Sequence, residues 1–143
     1  MRIVIAGAGK TGAYLAAKLL ADHEVTLIES RRGRAERVQT MLTGAHVVNG
    51  DACEPTVLET AGLKGADLLV AATGDDEDNL VVAMLAGEFA VDRVVARVNH
   101  PANEWLFDKE WGVDAALSAS SILWGIVEKQ CVMPGLGEQA DPI

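Results

Sequence analysis

Residues 2–29, RIVIAGAGKTGAYLAAKLLADHEVTLIE, decide the fold. Arg2 to Ala6 is rich in β-branched residues and predicts a strand. Gly7-Ala8-Gly9-Lys10-Thr11-Gly12 follows at once. From Lys10 to Ala21 the apolar residues Leu15, Ala16, Leu19 and Leu20 recur at helical spacing, and Glu24 to Glu29 predicts a second strand. A GxGxxG between strand and helix has a physical logic. Gly7 allows the tight turn, Gly9 lets backbone approach a pyrophosphate, and Gly12 lets helix and strand pack closely. Phosphates would then meet free N–H groups at the positive end of the helix dipole, with Lys10 in reach. Glu29 closes the second strand, where an acid accepts the ribose hydroxyls of an adenosine. The loop is not a Walker A, which needs four residues between its glycines and then Gly-Lys-Ser/Thr.

Outward from that unit the rhythm continues. A charged helix is expected from about Gly33 to Leu42, a strand at Ala45–Asn49, and a short helix at Glu54–Ala61 with Pro55 in its first turn. Strands follow at Asp67–Ala72, Arg93–Val98 and Val113–Leu117, with helices at Asp75–Phe89 and Ala102–Glu110 between them. Strands alternating with helices predict a doubly wound, Rossmann-type α/β domain. Its six-stranded parallel sheet is covered on both faces. Ligands in such sheets bind outside the strand carboxyl ends, at the switch point between the first and fourth strands. Gly50-Asp51-Ala52 and Ala71-Ala72-Thr73-Gly74 are therefore placed to wall adenine and phosphates. Each segment is also compatible with an ordinary glycine turn and helix cap.

The charge pattern narrows the partners. Twelve basic residues face 21 acidic ones, a net charge of −9, so nucleic acid would require a concentrated basic patch. Arg31, Arg32, Arg34 and Arg37 form the only basic cluster, and with Glu29 and Glu36 among them they read as a solvated helix start. Beside Ser30, Arg31 and Arg32 would attract a 2′-phosphate while Glu29 repels it. The balance favours NAD(H) or an adenine nucleotide over NADP(H). Apolar stretches such as Leu80–Ala86 fall short of the roughly 20 residues of a bilayer-spanning helix. No basic-then-apolar signal segment precedes the first strand, which predicts a soluble, intracellular domain without membrane insertion. Cys53 and Cys131 form no CxxC pair, so neither a disulfide nor a zinc site is expected.

Three alternatives stay open. The Asp75-Asp76-Glu77-Asp78 run suits a divalent metal, or simply the dipole at a helix start. Cys53 lies behind the adenine loop without a visible basic activator for redox chemistry. The same fingerprint serves NAD(P)-dependent oxidoreductases, but hydride transfer needs a substrate wall and an acid or base in reach. His23 and His46 precede their strands, at the wrong edge, and His100 sits between Asn99 and Pro101 in an expected turn.

GAGKTG, GDACEP, ADLLVAATGDDEDNLVVAMLA and RVVARVNHPANEWLFDKEWGVDAALS resemble the N-terminal nucleotide-binding domain of potassium-transport regulators, the RCK, KTN or TrkA-N family. The likeness runs in order from residue 1 to about 120, and ATGDDEDN and VARVNHP carry more of it than the glycine loop. The resemblance implies a cytoplasmic gating subunit rather than an enzyme, binding NAD(H), ATP or ADP. It further implies dimers that assemble into rings on Trk/Ktr transporters or potassium channels, peripheral at the inner face of the membrane. It places Gly7, Ala8, Gly9, Lys10, Thr11 and Gly12 at the phosphates, Glu29 at the ribose, and Asp51 and Ala52 near adenine. Ala72, Thr73, Gly74 and Asn79 would line the crevice, and Arg97 would reach the phosphates or a partner subunit.

Two departures stand out. Glu29 occupies a position where many relatives have Asp, an equivalent acceptor. The family's second, ligand-sensing domain has no room in 143 residues. The chain therefore reads as a single-domain member working with a separate C-terminal-type subunit, or as one ending at the hinge. Residues 1–119 are expected to form the nucleotide domain and 120–143 a crossover segment. Within that segment the Ser121–Val132 helix packs on its own domain or on a neighbour, before Met133–Gly137 breaks it and a polar tail follows.

Overall fold

A computed structural model describes residues 1–132. The expected turn at Met133–Gly137 and the tail after it lie outside the described residues. Six strands, β1 (Arg2–Ala6), β2 (Glu24–Glu29), β3 (His46–Asn49), β4 (Leu68–Ala71), β5 (Arg93–Val98) and β6 (Ala115–Ser118), form one sheet in the order β3-β2-β1-β4-β5-β6. Every neighbouring pair is parallel. The helices are α1 (Lys10–Leu19), α2 (Arg32–Met41), α3 (Pro55–Thr60), α4 (Asp76–Ala86) and α5 (Ala119–Gln130). The chain winds from β1 outward to β3, then crosses back to β4 beside β1. The sheet thus has its switch point between those two strands, the place where this class of fold opens a crevice.

The strands are apolar on both faces because both faces are covered. Ile3 and Ile5 of β1 point into a core with Ala16 of α1, Leu27 of β2 and Val38 of α2. Val4 and Ala6 point the other way, to Leu58, Leu69, Val82, Val94 and Val98. Pro55 sits in the first turn of α3, where its missing N–H has no helical partner to lose.

Two expectations change beyond β5. In place of a helix over Ala102–Glu110 there are two 3₁₀ pieces, Pro101–Leu106 and Lys109–Trp111. Phe107 interrupts the run because its side chain drops into the core. Asp108 then starts a new turn, its carboxylate accepting from the N–H groups of Glu110 and Trp111. Gly112 ends it at φ +82°, where a Cβ would lie 2.8 Å from the Ala83 carbonyl oxygen. β6 accordingly begins at Ala115 rather than Val113, which is buried ahead of the strand.

α5 forms at Ser118, whose hydroxyl accepts the Ser121 N–H as an N-cap. No residue of α5 is buried, and Ile122, Leu123, Trp124 and Ile126 are all at least half exposed. Among the described residues, none covers the apolar stripe of this helix on its own domain.

Candidate nucleotide site

Five strand ends converge on one cavity of about 450 Å³ above the switch point. Its floor is the glycine loop. Gly7 has φ +102°, and a Cβ there would lie 2.8 Å from the Ala72 carbonyl oxygen, so β1 and β4 meet at this turn without room for a side chain. Gly12 is tighter still. A Cβ would fall 1.8 Å from the Gly7 carbonyl oxygen, so α1 can rise from the loop only on a glycine. At Gly9 a Cβ would meet nothing closer than Arg34 Nη1 at 3.6 Å, which leaves that backbone facing the cavity.

The start of α1 is electrostatically open. Gly9 caps it without a side chain, and no acid occupies the first turn. The N–H groups of that turn have no intrahelical acceptor and carry the positive end of the dipole. α4 is the opposite case. Asp75 caps it by accepting the Asp78 N–H at 3.0 Å, and Asp76, Glu77 and Asp78 fill its first turn. An anion entering the cavity is drawn to α1 and repelled from α4.

Glu29 is buried, 4% exposed, and lines the cavity with Ser30 and Arg31. The Ala8 N–H donates to its Oε1 at 3.0 Å and the Arg31 N–H to its Oε2 at 2.9 Å. Arg34 Nη1 stands 3.5 Å from Oε1. A carboxylate has about four acceptor positions, so each oxygen keeps one beyond its backbone N–H. Ala8 and Arg31 thus act here through their backbones, by fixing the carboxylate.

Asp51 and Ala52, after β3, and Ala72, Thr73, Gly74 and Arg97, after β4 and on β5, also line the cavity. Five of the predicted residues do not. Ala8 is buried in the core and meets the site only through its N–H on Glu29. Lys10 and Thr11 are exposed on the first turn of α1, outside the lining, with the Thr11 hydroxyl taking a 3.4 Å contact from Arg97 Nη1. Gly12 lies under the loop. Asn79 is 0% exposed and stands behind the wall rather than in it. Its Oδ1 accepts from the Thr73 N–H at 3.0 Å and from the Thr73 hydroxyl at 2.7 Å. Its Nδ2 donates to the carbonyls of Thr73 and Arg97. Asn79 therefore ties the β4 turn to β5, and its role is to position two lining residues.

The acidic run divides in the same way. Asp76 turns inward and accepts from the Asn99 and His100 N–H groups, at 2.6 and 2.9 Å, and from the side-chain amides of Asn99 and Asn103. Burial alone would raise its carboxyl, but these hydrogen bonds, led by Asn103, outweigh that and hold it below the usual range. Among the described residues no three His, Cys, Asp or Glu side chains gather closely enough to hold a metal ion. Cys53 lines the cavity, yet burial first, then the charges of Asp78 and Asp51, push its thiol up to about 12. Each of these influences disfavours the thiolate, which is the nucleophilic form.

Sequence reasoning missed Arg34 as a lining residue by placing it with a solvated face. Its signal was position: side chains in a first helical turn lean back toward the helix start, here toward the end of β2. Asp75 and Asp78 also line the cavity, from the α4 cap.

A doubly wound sheet with an open glycine loop, a buried acid after β2 and a cavity at the switch point defines a nucleotide-binding class of domain. Within that class the chain belongs to the TrkA-N domain family, which it matches over residues 3–119. It is 45% identical over 131 residues, 90% of its own length, to the Trk system potassium uptake protein TrkA of Mycobacterium tuberculosis. It spans 59% of that relative's length. Among solved structures it is similar to the TrkA-N domain of the Escherichia coli inner membrane protein ybaL, with TM-score 0.79 and 20% identity over 92% of this chain and 96% of that one. It is also similar to the GsuK channel bound to NAD, with TM-score 0.71 and 20% identity, covering 81% of this chain and 21% of that one. GsuK has also been solved bound to ADP.

Proposed function

We infer that this chain is the nucleotide-binding part of a regulatory subunit for a potassium uptake system or channel. Its crevice takes NAD(H), ATP or ADP, and a membrane partner feels whether it is occupied. The observation that carries this is the pairing of an unobstructed α1 start with a backbone-fixed Glu29 across one cavity. One end suits phosphates and the other a ribose. Membership of the TrkA-N family and the TrkA relative supply the potassium context. Phosphates would lie on Gly7 to Gly12, with Lys10 and Arg97 closing from the sides. The ribose would meet Glu29 beside Ser30 and Arg31. Adenine would meet Asp51 and Ala52 against Ala72, Thr73 and Gly74.

The role is regulatory rather than enzymatic. Among the described residues lining the cavity there is no histidine, and its thiol is held protonated. Residues 1–119 would be the nucleotide domain and 120–143 a crossover segment. α5, bare on its own subunit, would pack on a second copy, and further pairing would build a ring at the inner face of the membrane. A separate C-terminal-type subunit would supply the remainder of such a machine. Occupancy is transmitted only by a difference in nucleotide affinity between two arrangements of that assembly. Calorimetric titration with ATP, ADP, NADH and NAD⁺, on protein stripped of carried-over nucleotide, tests this. Micromolar binding of at least one is expected, and its preference names the signal. Binding of none refutes the sensing role. Steady oxidation of NADH by a small carbonyl would instead establish an oxidoreductase.

A further inference from the structure

The helices divide by charge between the two faces of the sheet. α1 and α2 cover one face, where Ala16 and Val38 share a core, and they carry Lys10, Lys18, Arg32, Arg34 and Arg37 against the single acid Glu36. α3 and α4 cover the other, and their charged residues are Glu59, Asp76, Glu77 and Asp78, without one base. Right-handed crossovers between neighbouring strands lay α1 and α2 side by side, so lysines and arginines separate in the chain share one face. Arg34 is committed to Glu29, but Lys10, Lys18, Arg32 and Arg37 are exposed and form no ion pair among the described residues. Two large side chains with apolar surface stand among them. Tyr14 is 62% exposed, with Lys18 Nζ 5.7 Å from its ring centre, and Met41 at the end of α2 is 73% exposed.

We propose that this α1–α2 face docks on an anionic lipid surface, its basic side chains at the headgroup phosphates with Tyr14 and Met41 between them. Charge selects the class of partner, and three features select lipid within it. The face is a layer of two helices side by side, which matches a plane rather than a groove. An exposed tyrosine is amphipathic, and such rings settle at the level of headgroups. Met41 offers an apolar chain that a nucleic-acid backbone cannot use but the headgroup–acyl boundary can. The net charge of −9 does not oppose this contact. Packed layers lie about 10 Å apart, so the acidic helices stand about 20 Å behind the basic face, beyond two screening lengths of about 8 Å at physiological salt. They act instead on orientation, because turning α3 and α4 toward the bilayer brings like charges together.

The proposal stands on the charge of this face and does not depend on an occupied crevice. Its test is co-sedimentation of the whole chain with vesicles of phosphatidylcholine alone and of phosphatidylcholine with about 30% phosphatidylglycerol. Binding is expected to the anionic vesicles only, and it should vanish at about 1 M salt, where the screening length falls to about 3 Å. Lys18→Gln/Arg37→Gln should lose at least tenfold in apparent lipid affinity with its melting temperature unchanged. Adding Glu59→Gln and Glu77→Gln on the opposite face returns the net charge to −9 and should not restore binding. Tyr14→Ser/Met41→Ser should lose several-fold while keeping the salt dependence. Equal binding to neutral vesicles, no binding to anionic ones at low salt, or full binding by Lys18→Gln/Arg37→Gln overturns the proposal. Recovery in the fourfold variant also overturns it, since binding would then follow net charge rather than this face. Retention on double-stranded DNA as strong as on the anionic vesicles, and lost in the same variant, overturns the lipid assignment in favour of nucleic acid. Each of these outcomes leaves the nucleotide reading untouched, and failure of the nucleotide titrations leaves this face untouched.

Discussion

Gly12 is required for steric room rather than flexibility. Its backbone is ordinary helix, but a methyl group there would sit 1.8 Å from the Gly7 carbonyl oxygen, and neither backbone can yield without moving β1 against α1. Gly12→Ala should cost about 3 kcal/mol in urea unfolding, at the upper end for overpacking, and should weaken nucleotide binding as the loop is displaced. Asp76 is decisive for a different reason. It holds the β5 exit through four hydrogen bonds to an ionised carboxylate, and Asp76→Asn would set an amide donor against those donors. A loss of about 2–3 kcal/mol is expected at pH 7, the range for hydrogen bonds to charged groups. The sign of its pH dependence follows from the lowered pKa of the folded state. The Asp76 contribution is complete above the ordinary carboxylate value, about 4, and is lost as pH falls through the lower folded value. Urea midpoints of the two proteins should therefore differ fully at pH 6 and converge below about pH 4.

At the scale of elements, α1 to α4 are each explained by an apolar or small-residue face against the sheet, whereas α5 is not. A twelve-residue helix containing Gly125 is marginal in water without tertiary packing, and Ser118 supplies only a cap. The hydroxyl of Ser121 also contacts the Glu104 carboxylate, a polar tie that covers none of the apolar stripe. Burying Ile122, Leu123 and Ile126 against a second copy would supply the missing stabilisation, at about 1.5–3 kcal/mol per large side chain. Ending the chain after Ala119, or substituting Leu123→Asp, should convert a dimer to a monomer by light scattering with the sheet domain still folded. A dimer that survives both changes would locate the interface elsewhere. The segment 101–112 shows the limit of periodicity from the other side. Its apolar spacing suits a helix, but Phe107 is worth more in the core than a continuous helix is, so the run breaks into two turns.

For the whole molecule, the strand order places the carboxyl ends of β1 to β5 around one opening, where the positive start of α1 and the side chains of Arg31, Arg34 and Arg97 gather in a chain of net charge −9. A ligand that binds only the folded state stabilises it in proportion to its occupancy. ADP or NADH at a hundred times its dissociation constant should add about 2.7 kcal/mol and raise Tm by several degrees. A nucleotide that leaves Tm unchanged at millimolar concentration is not the ligand.

Most of the fold was legible in the sequence because its signals are local. Alternation of β-branched runs with helical spacing, a glycine loop directly after a strand and Pro55 at a first turn each depend on neighbours within a few residues. The same holds for the acid at the end of β2. What only the tertiary structure decided depends on residues distant in the chain. Asn79 looks like a crevice residue in sequence, but the approach of β5 encloses it between Thr73 and Arg97. Asp76 and Asp75 are adjacent acids, yet one is drawn inward by Asn99, His100 and Asn103 while the other caps a helix. Arg34 belongs to a charged run until the end of β2 brings Glu29 beneath it. The pattern of apolar residues specified which elements form and how they wind. Which polar side chains face ligand, core or each other was set by contacts that exist only once the sheet has closed.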